Sequence, residues 1–327
     1  MQGSVRLKAG VLSILLFFST ISFSQPIAIG FRVIGYVQPP RNIPIDVNKI
    51  PFANITHLNI AFVNPDSAGN LILPPAFDTI ITEAHKYNIK VLASIGGGGK
   101  FNPYYTSLLS DTNRNSFVSK LIKLVKVYNL DGIDVDLEGD NIDKNYVYLI
   151  TDLSKHLKRK NKLLTAAVST WNAQTINTEA LKKFDFINVM SYDETGPWRP
   201  NEPGPHSTYV KAEEDLQYWT NTRGFPKKKI NLGLPFYGYC FGTTYAESMP
   251  YSNIINTFPE AAQQDTVTTP IGEIIHFNGL NTIKSKTELA LKKAGGVMIW
   301  QLLQDCEGDK SLLTAINAII KKGSAKK

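Results

Sequence analysis

Residues 131–138 read Asp131-Gly132-Ile133-Asp134-Val135-Asp136-Leu137-Glu138, with four carboxylates in eight residues. Because the side chains of a β-strand alternate between its two faces, Asp134, Asp136 and Glu138 share one face. The apolar residues between them share the opposite face, as in a strand of a buried parallel sheet. The stretch therefore predicts a buried strand that carries a row of acids on one face.

The row of acids is costly to bury, because carboxylates lose their hydration unless they share protons and hydrogen bonds. Glu138 stands at the carboxyl end of the row. Neighbouring negative charge raises the pKa of a carboxyl group, and a raised pKa suits a general acid. We therefore interpret the row as acid–base machinery, with Glu138 as the proton donor.

Three other interpretations of the acid row are weaker. A solvated edge strand conflicts with the apolar residues on the other face. A calcium loop of the EF-hand type needs a bidentate Glu at its twelfth position, and counting from Asp134 places Asn145 there. A magnesium site of the P-loop type needs a Gly-rich phosphate loop, which the sequence lacks. We therefore retain the acid–base interpretation.

Apolar runs of strand length alternate with amphipathic helical patterns along most of the chain. We predict strands over residues 31–37, 55–63, 89–94, 132–137, 163–169, 184–191, 230–234 and 295–300. Helical patterns between them include residues 114–128, 144–159, 211–222 and 310–321. Eight buried strands separated by helices predict an α/β fold, a (β/α)₈ TIM barrel with its chemistry at the carboxyl ends of the strands. The stretch from 238 to 284 departs from this pattern and predicts an irregular excursion.

The amino terminus has the pattern of a secretory signal peptide over residues 1–24. Arg6 and Lys8 precede a short apolar run, and Ser22-Phe23-Ser24 ends the segment with small residues. The apolar run is too short to span a bilayer comfortably. We therefore expect an exported protein, periplasmic or extracellular, with no membrane association once the signal is removed. No linker divides residues 25–327, which we expect to form one domain.

Charge, histidine and cysteine usage narrow the range of partners. The formal net charge is +7, and removing Arg6 and Lys8 leaves +5. No basic stripe with interleaved aromatics is present, so we do not expect a nucleic-acid partner. The five histidines lack zinc-ligand spacing, and we expect neither a metal nor a cofactor. Cys240 and Cys306 follow the seventh and eighth predicted strands, whose loops are neighbours, and this placement in an exported chain predicts a disulfide.

The pattern Asp131-x-x-Asp134-x-Asp136-x-Glu138 resembles the signature on the fourth barrel strand of family-18 glycoside hydrolases, the chitinase family. Other matches occur in the family's order over nearly all of residues 25–327. They are Gly35-Tyr36, Ser94-Ile95-Gly96-Gly97, Met190-Ser191-Tyr192-Asp193, Gly233-Leu234-Pro235-Phe236-Tyr237-Gly238 and Gly295-Gly296-Val297-Met298-Ile299-Trp300.

The resemblance implies catalytic roles for four residues. Glu138 would protonate the leaving glycosidic oxygen, and the carbonyl oxygen of the substrate's own N-acetyl group would act as nucleophile, with net retention. Asp136 would orient the acetamido N–H, stabilise its positive charge and turn toward Asp134 when the site is empty. Asp134 would hold the proton that the two carboxyl groups share. Tyr192 would donate a hydrogen bond to the acetamido oxygen.

The resemblance also implies sugar-binding residues. Trp300 would form an apolar floor and Asp193 would bind the same sugar, with Met190 and Tyr36 at the same site. Trp198 closely follows the Met-x-Tyr-Asp motif and is a candidate platform for a neighbouring sugar, because the apolar face of a sugar stacks on an aromatic ring.

Four further motif residues are expected to have structural roles. Ser94, Gly96 and Gly97 would let the backbone pass close to the acid row. Asp131 lies at the start of its strand, away from the reacting end. The sequence departs from the family at Leu137, where many chitinases carry Trp, and we expect this change to alter packing alone.

The excursion before the eighth strand looks too short for the large α+β domain that some family members insert there. We therefore expect a shallow, open cleft and endo-acting hydrolysis of β-1,4 bonds between N-acetylglucosamine residues in chitin or its oligosaccharides, by a monomer. An endo-β-N-acetylglucosaminidase that cuts the chitobiose core of N-glycans fits the same signature. Peptidoglycan fragments are a third substrate class. A non-catalytic chitin-binding lectin is the alternative from another functional class.

Overall fold

The computed structural model describes residues 30–98, 103–244 and 247–324. The predicted signal peptide, residues 1–24, lies outside the described residues. Within the described ranges, no helix is both long enough and apolar enough to cross a membrane.

The described residues form fourteen strands and nine α-helices, together with short 3₁₀ and π-helical turns. The strands are β1 Arg32–Val37, β2 His57–Ile60, β3 Asn64–Pro65, β4 Leu71–Ile72, β5 Lys90–Gly96, β6 Gly132–Asp136, β7 Leu163–Val168, β8 Phe186–Val189, β9 Ile230–Pro235, β10 Tyr237–Cys240, β11 Ser248–Pro250, β12 Thr266–Thr268, β13 Ile274–His276 and β14 Gly296–Trp300. The helices are α1 Phe77–Lys86, α2 Pro103–Leu108, α3 Arg114–Val127, α4 Tyr146–Lys158, α5 Thr178–Leu181, α6 Tyr209–Gln217, α7 Tyr251–Thr257, α8 Leu280–Lys293 and α9 Leu312–Ser324.

Eight of these strands form a closed parallel barrel in the order β1-β14-β9-β8-β7-β6-β5-β2. The last strand closes the barrel against the first, from the pair Arg32 and Gly296 to the pair Gly35 and Ile299. Helices connect most of the barrel strands and cover the outside of the barrel. The predicted (β/α)₈ barrel is therefore confirmed, and each of the eight predicted strands overlaps a barrel strand.

Strand β6 has the predicted alternation of faces. Ile133 and Val135 are fully buried in the main hydrophobic core, which lies between the barrel and its helices. Asp134 and Asp136 are also buried, and Asp134 contacts Tyr36, a member of the smaller apolar cluster inside the barrel. The acid row therefore faces the barrel interior and points toward the carboxyl ends of the strands.

The stretch between β9 and β14 forms a small sheet. Its four antiparallel strands have the order β11-β10-β13-β12, and α7 lies between two of them in sequence. The expectation of an irregular excursion is therefore wrong, although the described part of this stretch holds no large domain. The sheet escaped prediction because its strands are only three or four residues long, which is too short to show a periodic pattern.

The predicted disulfide is also wrong, because Cys240 and Cys306 are both free. Cys240 ends β10, which leaves the barrel and pairs within the small sheet. Its sulfur lies 3.7 Å from a carboxylate oxygen of Glu273. Cys306 instead follows the short 3₁₀ turn Leu302–Gln304 after β14. The prediction had placed Cys240 in a simple loop after the seventh barrel strand, whereas the structure places it in a strand of the small sheet.

Candidate active site

Asp134 lies at the base of the acid row and is fully buried. Its Oδ2 accepts hydrogen bonds from the hydroxyls of Tyr36 at 2.6 Å and Ser94 at 2.8 Å. Its Oδ1 accepts one from the Thr165 hydroxyl at 2.5 Å. Burial raises the pKa of Asp134 above its ordinary value, and these three hydrogen bonds oppose that effect. Strands β5 and β7, which flank β6, and β1 across the barrel therefore hold this carboxyl group in a fixed orientation.

Asp136 is buried one step further along the row. Burial raises its pKa well above the ordinary value, and the charges of Glu138 and Asp134 raise it further. The Oδ1 atom of Asp136 has no hydrogen-bond partner among the described residues. Buried polar atoms are nearly always paired, so this oxygen is placed to bind a polar group of a ligand.

Glu138 directly follows β6 and is only partly buried. Burial, and then the charge of Asp193, raise the pKa of Glu138 to about 7. A Cβ atom at Gly98 would come within 3.0 Å of its Oε1, so the glycine leaves room for the carboxyl group. A partly exposed carboxyl group with this pKa can deliver a proton near neutral pH.

Glycines bring β5 close to the backbone of the acid row. Gly96 and Gly97 have φ angles of +103° and +100°, which residues with a Cβ rarely adopt. The Gly97 N–H donates to the carbonyl oxygen of Asp136 at 2.7 Å. A Cβ at Gly96 would lie 2.2 Å from that same oxygen. Only glycine therefore fits at Gly96.

Asn64, which sequence reasoning missed, braces this glycine segment. Its Nδ2 donates to the carbonyl oxygen of Gly96 at 2.8 Å. Its Oδ1 accepts from the Gly96 N–H at 2.7 Å and from the Tyr105 hydroxyl at 2.7 Å. The amide side chain thus pairs with both backbone groups of one glycine, a role that a single Asn in a sequence does not reveal.

Asp131 lies at the amino end of β6, remote from Glu138. It accepts hydrogen bonds from the Val91 N–H at 3.0 Å, from Lys90 at 2.9 Å and from His85 at 3.0 Å. Burial opposes ionisation, but these hydrogen bonds hold the pKa of Asp131 below its ordinary value. The side chain ties β6 to β5 and α1.

Tyr192 follows β8, and its side chain is buried above the barrel interior. Burial, and then the charges of Asp136 and Asp193, raise the pKa of Tyr192 well above its ordinary value. The phenol therefore keeps its proton. Its hydroxyl donates toward the sulfur of Met298 at 3.8 Å, and sulfur is a weak acceptor. The hydroxyl is thus placed to donate to a stronger acceptor on a ligand.

Asp193 is held by residues from two other segments. Its Oδ1 accepts hydrogen bonds from the hydroxyls of Tyr237 at 2.5 Å and Tyr239 at 3.1 Å, and lies 3.3 Å from Nδ1 of His206. Sequence reasoning assigned no role to these three partners. The spacing Tyr237-x-Tyr239 was the available signal, because residues two apart in a strand share a face.

Trp300 ends β14 and belongs to an aromatic cluster. Phe62 stacks on it with ring centroids 5.6 Å apart, and Tyr36 packs against it at 5.5 Å. The prediction that Tyr36 contacts a sugar is corrected by its burial, since the side chain is 1% exposed and its hydroxyl contacts Asp134. Met190 is partly buried against the apolar cluster inside the barrel.

Further aromatic and apolar surface lies on both sides of the acid row. Trp198 is 56% exposed and packs edge-on against Tyr239, with ring centroids 5.2 Å apart. On the other side, a cavity of about 550 Å³ opens beside Phe62 and Gly98. Its wall includes Pro39, Pro40, Pro74, Pro75 and Arg41. The described residues contain no group of three or more His, Cys, Asp or Glu side chains placed to hold a metal ion.

Comparison with known proteins gives one consistent result. The family model for glycosyl hydrolases family 18 matches residues 32–305. A chitinase structure from Flavobacterium johnsoniae is 38% identical with a TM-score of 0.81, covering 89% of this chain and 94% of that one. A chitinase structure from Bacteroides thetaiotaomicron is 30% identical with a TM-score of 0.78, covering 89% and 96%.

Curated relatives are more distant. A chitinase-like effector of Moniliophthora roreri is 28% identical over 70% of this chain and 64% of its own length. An endochitinase of Manduca sexta is 27% identical over 60% of this chain and 42% of its own length. The chain thus spans less than two thirds of the length of these relatives.

Proposed function

The chain belongs to glycosyl hydrolase family 18, and from that membership we propose that it is a chitinase. It hydrolyses β-1,4 bonds between N-acetylglucosamine residues of chitin or chitin oligosaccharides with retention of configuration. The observation that carries the proposal is the pairing of Glu138, whose pKa is raised to about 7, with the buried and unpartnered Oδ1 of Asp136. Glu138 can supply a proton, and Oδ1 of Asp136 can accept a hydrogen bond from the substrate.

Glu138 acts as the general acid. It protonates the glycosidic oxygen as the bond to the anomeric carbon breaks. The carbonyl oxygen of the substrate's acetamido group attacks that carbon from the opposite face and forms a cyclic oxazolinium ion. Glu138, now ionised, removes a proton from the water that opens this ring, so that the two inversions give net retention.

Asp136 and Tyr192 hold the acetamido group during this attack. The free Oδ1 of Asp136 accepts the acetamido N–H and stabilises the positive charge that develops there. The Tyr192 hydroxyl exchanges its weak sulfur contact for the acetamido oxygen. Asp134 lies next to Asp136 in the acid row and shares a proton with it. Three hydrogen bonds keep Asp134 in place.

Trp300 and Asp193 bind the sugar that undergoes the reaction. The partly exposed indole at the end of β14 supplies an apolar platform. Asp193 is 41% exposed and held by its three partners, so it presents an acceptor to the sugar hydroxyls in a fixed orientation. Met190 completes the apolar side of this subsite.

Protein surface on both sides of Glu138 supports endo action. The cavity beside Phe62 belongs to loops after β1, β2 and β5. Trp198 lies after β8, in the opposite half of the barrel order. A glycan chain that crosses the barrel mouth therefore contacts protein on both sides of the bond that breaks.

We further propose that residues 25–327 form the catalytic domain of an exported monomer. The proposal of export rests on the signal-peptide pattern of residues 1–24.

The test is hydrolysis of a chitin hexasaccharide and an N-glycosylated protein in parallel, with products identified by mass spectrometry. We expect di-, tri- and tetrasaccharides from the hexasaccharide, initially as β-anomers by NMR. Glu138→Gln is the matched control, and it should bind the hexasaccharide while turnover falls by a factor of about 10² to 10⁴.

Other results would assign other functions. Cleavage of the glycoprotein between its two core N-acetylglucosamines, with the hexasaccharide intact, would identify an endo-β-N-acetylglucosaminidase. Binding of the hexasaccharide by the wild-type protein without any product would identify a lectin. Undiminished turnover by Glu138→Gln would show that another residue is the acid.

A further inference from the structure

A line of polar side chains crosses the barrel interior and ends at the acid row. Interiors of such barrels are usually filled with layers of branched apolar residues. Here Arg32 of β1, Asn231 of β9, Asn188 of β8 and Tyr36 of β1 contact one another in that order, and Tyr36 contacts Asp134. The two asparagines are completely buried. Polar residues in this position call for a specific explanation.

The line consists of four hydrogen bonds. Arg32 Nε donates to Asn231 Oδ1 at 2.9 Å, and Asn231 Nδ2 donates to Asn188 Oδ1 at 3.0 Å. Asn188 Nδ2 donates to the Tyr36 hydroxyl oxygen at 3.2 Å. The Tyr36 hydroxyl donates to Asp134 Oδ2 at 2.6 Å. Every donor therefore points from Arg32 toward Asp134.

The Arg32 guanidinium, at the end of the line away from Asp134, fixes the direction of all four hydrogen bonds. A guanidinium group can only donate, so the atom of Asn231 that faces Arg32 must be its oxygen. The amide nitrogen of Asn231 also donates to the Ile187 carbonyl oxygen at 3.1 Å, which can only accept. Asn188 must then turn its own oxygen to Asn231 and its amide N–H to Tyr36. Tyr36 accepts that hydrogen bond, and its single proton is left for the carboxylate.

We propose that Arg32, acting through Asn231 and Asn188, fixes the direction of the Tyr36 hydroxyl so that its proton is always donated to Asp134. These three residues are positioning residues for the acid row, although they lie below it and contact no substrate. Donation to Asp134 favours its carboxylate form. The proton that Asp134 and Asp136 share is therefore directed to Asp136, in contrast to the expectation from the family resemblance that Asp134 holds it. One oxygen of Asp136 can carry this proton while its free Oδ1 still accepts a hydrogen bond from the substrate. This consequence for turnover rests on the proposed function.

Other titratable groups surround both ends of the line. Those that face Asp134 are Tyr36, Asp136 and Tyr146, and burial followed by the charges of the two acids raises the pKa of Tyr146. His57 lies near Arg32, and Asp131 and Lys90 in turn lie near His57. The Arg32 guanidinium also lies 4.7 Å over the Phe186 ring. The test therefore changes Asn231 and Asn188, which carry no charge in the wild type, and it uses a Tyr36→Phe background to separate the effect of a charge that a substitution introduces.

Asn231→Asp is the informative substitution. The new carboxylate keeps the size of the side chain and still accepts from Arg32, but it turns a second acceptor toward Asn188. Asn188 must then turn its N–H to that acceptor, and its oxygen competes with Asp134 for the Tyr36 proton. We expect kcat to fall about tenfold to a hundredfold, as for losing a hydrogen bond to a charged group.

Asn231→Leu is the matched control, because it breaks the line without reversing it. Asp134 then remains the one strong acceptor near the Tyr36 hydroxyl, and kcat should fall less than in Asn231→Asp, even where the melting temperature falls more. If kcat of Asn231→Leu were lower than kcat of Asn231→Asp, the proposal would be overturned, and the role of Asn231 would be purely structural.

A double-mutant cycle with Tyr36→Phe tests whether the effect passes through the hydroxyl. Asn231→Asp should change kcat in the wild-type background and have no further effect in the Tyr36→Phe background. Equal losses in both backgrounds overturn the proposal. If circular dichroism shows that Asn231→Asp does not fold, Asn188→Leu replaces it in the same cycle, with the same two outcomes.

A titration without substrate separates this inference from the proposed function. Carboxyl ¹³C NMR of the free protein should show that Asn231→Asp raises the pKa of Asp134 by more in the wild-type background than in the Tyr36→Phe background, where the new carboxylate acts through its charge alone. Equal increases in the two backgrounds overturn the inference even if the enzyme is a chitinase. Absence of turnover on every glycan would instead disprove the proposed function. The titration would still test whether Arg32, Asn231 and Asn188 position the Tyr36 hydroxyl.

Discussion

Tyr237 donates a 2.5 Å hydrogen bond to Oδ1 of Asp193, and this contact joins the small antiparallel sheet to the end of a barrel strand. Tyr239, two residues further along β10, donates to the same oxygen at 3.1 Å. The sheet therefore does more than fill the connection between β9 and β14. It orients a carboxylate that is 41% exposed in the mouth of the barrel.

Loss of the Tyr237 hydroxyl should weaken substrate binding more than chemistry. In Tyr237→Phe, Asp193 keeps its charge but loses its shortest hydrogen bond, so the sugar meets a less ordered acceptor. We expect KM for a chitin hexasaccharide to rise severalfold with a smaller change in kcat, because one hydrogen bond contributes about 1 kcal/mol. Tyr239→Phe removes the longer bond and should have a smaller effect. Unchanged KM in both variants would show that the sheet does not support Asp193.

The pH dependence of activity should report the pKa of Glu138. Its carboxyl group must carry a proton to act as an acid, so kcat/KM should fall as the pH rises through about 7. The charge of Asp193 is the second cause of the raised pKa, after burial. In Asp193→Asn the pKa of Glu138 is lower, and the basic limb of the kcat/KM profile should move to lower pH.

Tyr237→Phe is the control for this shift. It disturbs the same carboxylate but leaves its charge in place, so its basic limb should stay near that of the wild type. A basic limb that does not move in Asp193→Asn would show that burial alone raises the pKa of Glu138, or that another group controls the limb.

The raised pKa of Glu138 also predicts a stability effect with a defined sign. The unfolded chain has the ordinary value of 4.5, and the folded protein has about 7. Stability from the protonated group is fully present below pH 4.5 and is lost as the pH rises through 7. Glu138→Gln carries no charge, so it should be more stable than the wild type at pH 8, by roughly 3 kcal/mol at most.

Thermal unfolding at two pH values checks this prediction. The melting temperatures of Glu138→Gln and the wild type should be close at pH 4 and should differ at pH 8, with the variant higher. Glu260→Gln, at an exposed residue, should show no such difference. A variant that is less stable than the wild type at pH 8 would contradict the assigned pKa.

Sequence reasoning identified the barrel because its strands carry strong local patterns. In β6 the alternation of acids with Ile133 and Val135 predicted a buried strand with the acids on one face and the apolar residues on the other, and both apolar residues are fully buried. The closed barrel then showed that the face with the acids is the inner one. The alternation of faces in a strand depends only on residues that are neighbours in sequence, so it can be predicted without knowledge of the fold.

Sequence reasoning missed contacts that only the closed barrel creates. Asn188 and Asn231 are single polar residues in apolar strands, 43 positions apart, and no local pattern marks them as partners. His206 reaches Asp193 across 13 positions through the loop after β8. The disulfide failed for a related reason, since it assumed that the chain would leave β9 as a simple loop.

The hydrogen bonds of Lys286 should contribute to the stability of the folded protein. Its fully buried ammonium group donates to the carbonyl oxygen of Ser207, to the Ser207 hydroxyl and to Asn278 Oδ1, at 2.8, 2.7 and 2.7 Å. Burial lowers its pKa to about 7, against the charges of Asp265 and Asp215. Lys286→Met removes three hydrogen bonds and leaves the buried Asn278 Oδ1 without its donor, so it should lower stability by about 3 kcal/mol, measured by urea unfolding. An unchanged free energy of unfolding would contradict these contacts.

Trp198 should bind the part of a long substrate that extends beyond the reacting sugar. Its ring is perpendicular to that of Tyr239 and the side chain is 56% exposed, so apolar ring surface is available to a sugar. Trp198→Ala should raise KM for the hexasaccharide about two- to tenfold, the range expected for one aromatic contact, without lowering the melting temperature. Tyr148→Ala is the matched control, because Tyr148 is 53% exposed on α4, a helix on the outside of the barrel. Equal increases in KM for both variants would assign the loss to exposed aromatic surface in general and not to a subsite at Trp198.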